Sequence, residues 1–176
     1  VSASRQAAET ALADAEAASA AALAEAEELV AAASAEDATP EALEAAQAAM
    51  LAVQEASAAV NAAQGELNVT EAAEEAAEAA KAFMAVTKDE RLVSPLKQIA
   101  ATSEVEDQRK AFETLSMAMY EIVKAGNSET VLYKQYCPMA FNNKGAYWLA
   151  AESEVNNPYF GDVMLHCGRV EETINQ

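Results

Sequence analysis

The chain has 176 residues with 29 acidic and 11 basic side chains, a formal net charge of −18. Phosphate backbones and anionic lipid surfaces repel such a chain, which excludes nucleic-acid binding, and no run of 18 or more large apolar residues is present to insert in a membrane. Residues 1–86 hold 37 alanines, 16 acids and 2 bases, whereas residues 87–176 hold 13 acids and 9 bases, and nearly all the aromatic residues follow residue 110.

Residues 2–34 read as one long helix, because alanine and glutamate are strong helix formers. Its large apolar residues Leu12, Leu23, Leu29 and Val30 recur near multiples of the helical period and predict one narrow stripe. The other contact positions are alanine or serine, so a partner helix can come close but gains little burial. A break follows at Ser34-Ala35-Glu36-Asp37-Ala38, where Thr39 is placed to cap a helix and Pro40 to begin it. That second helix is expected to run from about 40 to about 64, with Gly65 as its stop. Asn68 or Thr70 then caps a third helix reaching about Val86. A shorter helix covers 91–101, with Pro95 near its start or kinking it, and the best-formed helix covers 104–125 and ends at Gly126-Asn127. These features divide the chain into an acidic helical arm (1–38), a helical bundle (39–126) and a cap (127–176). The fold class is all-α, an antiparallel bundle with an extra alanine-rich helix and an aromatic, loop-rich cap.

Within 127–176, Tyr133, Tyr136, Phe141, Tyr147, Trp148, Tyr159 and Phe160 are interrupted by Pro138, Gly145, Pro158, Gly161 and Gly168. Loops and short elements around aromatic anchors are expected, packed onto the helices, with Tyr136, Trp148, Tyr159 and Phe160 as the cap. The chemistry-bearing residues lie among them: Cys137 with Met139, and Met164 with His166 and Cys167. Thiolate and thioether are soft donors that select copper(I), with zinc competing for the thiolates. Two to four soft ligands result if the loops converge, and Trp148 is suited to lie over the ion. The same two cysteines, 30 residues apart, equally predict a disulfide that staples the segment, with the methionines as packing. Spacing alone leaves both readings open.

Catalysis is not expected. A Cys–His pair is available, but nothing identifies an oxyanion hole, an orienting group or a serine elbow. With a single histidine, no Glu-x-x-His pairs exist for a carboxylate di-metal bundle. No organic cofactor is indicated.

The stretches Tyr136-Cys137-Pro138-Met139-Ala140, Lys144-Gly145-Ala146-Tyr147-Trp148-Leu149, Asn157-Pro158-Tyr159-Phe160-Gly161 and Met164-Leu165, with Cys167-Gly168, resemble a bacterial exported domain of unknown function. That domain is found alone or appended to periplasmic adaptor subunits of copper/silver efflux pumps. The likeness extends to Glu106-Asp107-Gln108-Arg109-Lys110-Ala111-Phe112 and is specific over about 104–174, leaving residues 1–38 uncovered. The resemblance implies a helical body with a Cys–Met segment, a periplasmic or extracellular location, and metal-efflux components as partners. Cys137, Met139, Met164 and Cys167 match its motif, and His166 falls where its pattern is not fixed. A start at Val1-Ser2-Ala3-Ser4 reads as a processed chain. The leading expectation is thus a non-enzymatic exported protein that binds copper for sequestration or hand-off. Its rival is a structural module with a Cys137–Cys167 disulfide, in which helix 2–34 mediates homo-oligomer contacts.

Overall fold

The structure, a computed structural model, describes residues 2–35, 39–126 and 130–174. The expected break at Glu36-Asp37-Ala38 and the Asn127 half of the stop at Gly126-Asn127 lie outside them. Helix accounts for 71% of the described chain. The long helices are α1 (Ala3–Ala33), α2 (Pro40–Val86), α3 (Glu90–Ala101) and α4 (Val105–Ala125). An antiparallel sheet follows, of β1 (Leu132–Cys137), β2 (Ala146–Ala150) and β3 (Arg169–Ile174) in the order β2-β1-β3. The all-α expectation therefore needs correcting in the cap: the aromatic segment is partly a sheet. The chain divides into two compact units, Val1–Ala72 and Ala73–Gln176.

In the first unit, Ser2 caps α1 by accepting a hydrogen bond from the Arg5 N–H at 3.0 Å. The less exposed positions of α1 are 5, 8, 12, 15, 19, 22, 26, 29 and 33, and those of α2 include 42, 46, 49, 53, 56, 60, 63, 67 and 70. Alternating steps of three and four are the seam of a coiled coil. The Arg5 guanidinium meets the Glu71 carboxylate at 2.7 Å, which sets the start of α1 beside residue 71 and makes the pair an antiparallel hairpin. Its seam is mostly alanine, with Ala8, Ala26, Ala46 and Ala49 buried. The expected stripe forms only in part: Leu12 and Leu29 lie on the seam, whereas Leu23 and Val30 point outward at 50% and 39% exposure.

The helix α2 runs through Gly65, contrary to the expected stop. Thr70, read as a cap, instead donates its hydroxyl to the Glu66 carbonyl at 2.9 Å, and Asn68 accepts from the Gln64 amide at 2.8 Å. Both polar groups are satisfied within the helix. One glycine costs about 1 kcal/mol against alanine, too little to break so strong a run of helix formers.

In the second unit the end of α2 packs with α3 and α4 around Ala80, Leu92, Leu96, Ile99, Ala111 and Leu115. Asp89 caps α3, and Pro95 lies buried inside it. The buried Gln108 amide reaches the carbonyls of Ala73 (2.8 Å), Thr102 (3.0 Å) and Ile99 (3.3 Å) and so ties three helical segments together. A second core holds Cys137, Ala140, Ala146, Trp148 and Tyr159, and Phe112 of α4 packs against both. The expectation that the aromatic segment packs onto the helices is met through Phe112–Tyr159, whose rings are 6.2 Å apart. Glu172 of β3 adds a second tie, accepting from Tyr120 at 2.9 Å and Lys124 at 2.7 Å.

Candidate thiol and thioether site

Alternation along the central strand β1 places Gln135 and Cys137 on its buried face, both 0% exposed. Opposite them on β2 stand Trp148 and the small Ala146. Residues 151–168 fold over this face. The Gln135 amide holds the start of the cover by donating to the carbonyls of Glu152 (2.9 Å) and Glu154 (3.0 Å). Asn157 holds its end: its amide donates to the Cys167 carbonyl at 2.6 Å, and its side-chain oxygen accepts from the Tyr159 N–H at 2.8 Å. Gly168 then lets the chain pass close to the strand. With φ at +146°, a Cβ there would lie 2.9 Å from the Tyr136 carbonyl and 3.1 Å from the Trp148 ring.

These devices bring Cys167 Sγ to 3.3 Å from Cys137 Sγ, while Met139 Sδ lies 3.7 Å from Cys167 Sγ. Both cysteines are free thiols. Their separation lies between the ~2.05 Å of a disulfide and the ~3.8 Å between two sulfurs at a tetrahedral zinc, from its ~2.3 Å Zn–S bonds. Cys137 is sealed in, Cys167 is half-buried and Met139 is 45% exposed, so the cluster opens to solvent on the Cys167–Met139 side. The thiol–thiol hydrogen bond, with burial and the charge of Cys137 behind it, pushes the Cys167 thiol above the ordinary cysteine range.

The five residues expected to ligate are thus not one cluster. The sulfur contacts among the described residues are Cys137 with Cys167 and Cys167 with Met139. Met164 contributes its carbonyl, which accepts from the Cys167 N–H at 3.0 Å. His166 is exposed, with Nδ1 2.8 Å from the Val155 carbonyl. No group of three His, Cys, Asp or Glu side chains is gathered for a metal among the described residues, and the further sulfur beside the two thiols is the Met139 thioether.

Of the expected aromatic cap, Trp148 and Tyr159 sit in the core beside Cys137, in an edge-to-face pair 5.8 Å apart. Burial, followed by the charges of Glu113 and Cys137, pushes the Tyr159 hydroxyl far above the usual tyrosine range, and it donates to the Tyr147 carbonyl at 2.5 Å. Phe160 packs against the same core. Tyr136 lies on the other face of the sheet, against Tyr147 at 4.5 Å and under Arg169 at 5.2 Å. Gln135 and Asn157 were not foreseen. The period-two pattern Tyr133, Gln135, Cys137 was the signal, readable once the stretch is taken as a strand.

Comparison with known proteins adds no relative: no family model, curated protein or solved structure matches the chain. No helix among the described residues is long and apolar enough to cross a membrane.

Proposed function

We propose that this protein binds one soft metal ion, copper(I) foremost, through Cys137, Cys167 and Met139, and sequesters it or hands it on without catalysing a reaction. The observation that carries the reading is the convergence of three sulfurs, with contacts of 3.3 Å and 3.7 Å, on the side of the cluster that meets solvent. Two thiols and a thioether form a donor set that favours copper(I), while zinc usually completes four ligands with nitrogen, oxygen or further thiolates. Cys137 is the fixed anchor, and Met139 is the ligand free to swing as an ion enters or leaves. The resemblance of the Cys–Met stretches to an exported, efflux-associated domain supports a setting outside the cytoplasm, with efflux components as the recipients.

Anaerobic titration of the reduced protein with copper(I) against a competing chelator tests the reading. One ion per chain is expected, lost in Cys137→Ser and Cys167→Ser and weakened about tenfold in Met139→Leu, the cost of one donor worth ~1.4 kcal/mol. No uptake by the reduced chain, or uptake indifferent to all three substitutions, overturns it.

A second reading rests on a different observation. Leu23 and Val30 of α1, and Leu43 and Met50 of α2, are exposed at steps of seven near the same end of the hairpin. Such a strip suits self-association of the first unit. Light scattering of the chain and of a Leu23→Glu/Leu43→Glu variant tests it: a larger mass for the parent chain supports association, and equal masses reject it.

A further inference from the structure

A groove of about 510 Å³ opens between α4 and the turn after β1, within the ~300–1,000 Å³ typical of small-molecule sites. The turn is unusual. Phe141, Asn142 and Asn143 are all left-handed, with φ of 51°, 57° and 64°. Asparagine tolerates this region, but phenylalanine does so only under compulsion, and such strain gathers at functional sites. The compulsion comes from the fully buried Ala140, from the Phe141 ring set edge-on to Tyr159 at 5.2 Å, and from the Gly145 N–H bonded to the Ala140 carbonyl at 3.0 Å. Gly145 is obligatory, because a Cβ there would strike the Tyr136 hydroxyl at 2.1 Å. The turn thereby holds Phe141 and Lys144 on the groove wall, with Tyr159 and Phe160 beside them.

The charged groups of the groove are only partly committed. Arg109 bonds Glu106 at 2.5 Å, and Lys110 bonds Asp107 at 2.8 Å. Two charged groups of the groove remain without an ion-pair partner among the described residues. Lys144 on the turn and Glu113 on α4 line the groove with opposite charge and no ion-pair partner. A cation, an anion and an aromatic wall facing one cavity together describe a zwitterion that carries a ring.

From this we infer that the groove binds a free aromatic α-amino acid. Lys144 receives its carboxylate, Glu113 its ammonium, and Phe141, Tyr159 and Phe160 its ring. The site adjoins the core that holds Cys137 and does not depend on a bound metal.

Calorimetry with L-phenylalanine on the full chain, alongside amide chemical shifts, tests the assignment. One saturable site is expected, with a dissociation constant of about a millimolar, in keeping with so small a ligand. Shifts should concentrate at Asn142, Lys144, Gly145 and Glu113. L-Alanine, 3-phenylpropionate and phenethylamine, each missing one feature, should bind at least fivefold more weakly. Lys144→Gln should weaken phenylalanine and 3-phenylpropionate but not phenethylamine, and Glu113→Gln should do the reverse for the two truncated probes. Lys144 is exposed, so its variant keeps the fold. Failure to saturate overturns the inference. So does binding of 3-phenylpropionate or phenethylamine as tight as that of phenylalanine, or affinity unchanged in both variants.

Discussion

The two compact units are built by opposite strategies. In Val1–Ala72 the buried side chains are alanines, while Leu23, Leu43, Met50 and Leu51 face outward at about half exposure. In Ala73–Gln176 the interior holds Leu92, Leu96, Ile99, Trp148 and Tyr159, each at 5% exposure or less. The first unit draws on helix propensity and a close alanine seam, with little apolar area per residue removed from water. The second gains from the burial of large side chains. Only the second can hold reactive side chains in place, because a thiol such as Cys137 is fixed by the bulk around it. The sulfur cluster and the groove accordingly both lie there.

Deleting a core side chain in each unit sharpens this contrast most. Leu96→Ala should cost about 2–5 kcal/mol, since the residue is fully enclosed and the surrounding helices cannot close the cavity. Leu43→Ala, half exposed on α2, should cost under about 0.5 kcal/mol. Urea denaturation followed by circular dichroism measures both. Equal losses would mean that the alanine hairpin depends on its outward leucines after all.

The next effect is pH-dependent and confined to the second unit. The folded state raises the Cys167 thiol and the Tyr159 hydroxyl above their ordinary values of 9.0 and 10.0. Groups raised by folding contribute stability that is whole below their unfolded values and is lost as pH rises past them. Melting temperature should therefore fall above about pH 9, where unfolded thiols begin to ionise. The opposite sign holds for Glu172, lowered first by its hydrogen bond from Lys124 and then by that from Tyr120: its contribution is whole above the glutamate range and lost as pH falls below it. Tyr159→Phe removes the bond to the Tyr147 carbonyl and should cost about 1–2 kcal/mol at neutral pH. It should also flatten the alkaline decline. A decline as steep as in the parent chain would place its source elsewhere.

What could be read without coordinates follows from how local each signal is. Thr39 caps α2 by accepting from the Ala42 N–H at 3.3 Å, and Pro40 opens the helix, because caps depend on a few adjacent residues. Gly65 misled because a stop depends on its surroundings, and a helix former on either side overrides one glycine. The sheet was hidden by the glycines and prolines between its strands, although Tyr133, Gln135 and Cys137 keep a strand period. The approach of Cys137 to Cys167 was legible as a pair of matching motifs. That Met139 is the third sulfur depends on the course of the chain after β1, where Asn143 N–H bonds the Met139 carbonyl at 3.2 Å. The groove had no local signature at all, since α4 and the left-handed turn meet only in the folded unit.

The smallest effect is the most direct probe of the first unit. Gly65 sits mid-helix, and a Cβ built there meets nothing within 4 Å. Alanine adds no contact, so any gain comes from backbone entropy and helix propensity alone. Gly65→Ala should raise the stability of the hairpin by about 0.5–1 kcal/mol and slow amide exchange around residue 65, while leaving exchange in α3 and α4 unchanged. A unit held by propensity responds in this way to a single backbone change. A null result would mean instead that the alanine seam, rather than the intrinsic preference of the chain for helix, supplies most of the stability of residues 2–72.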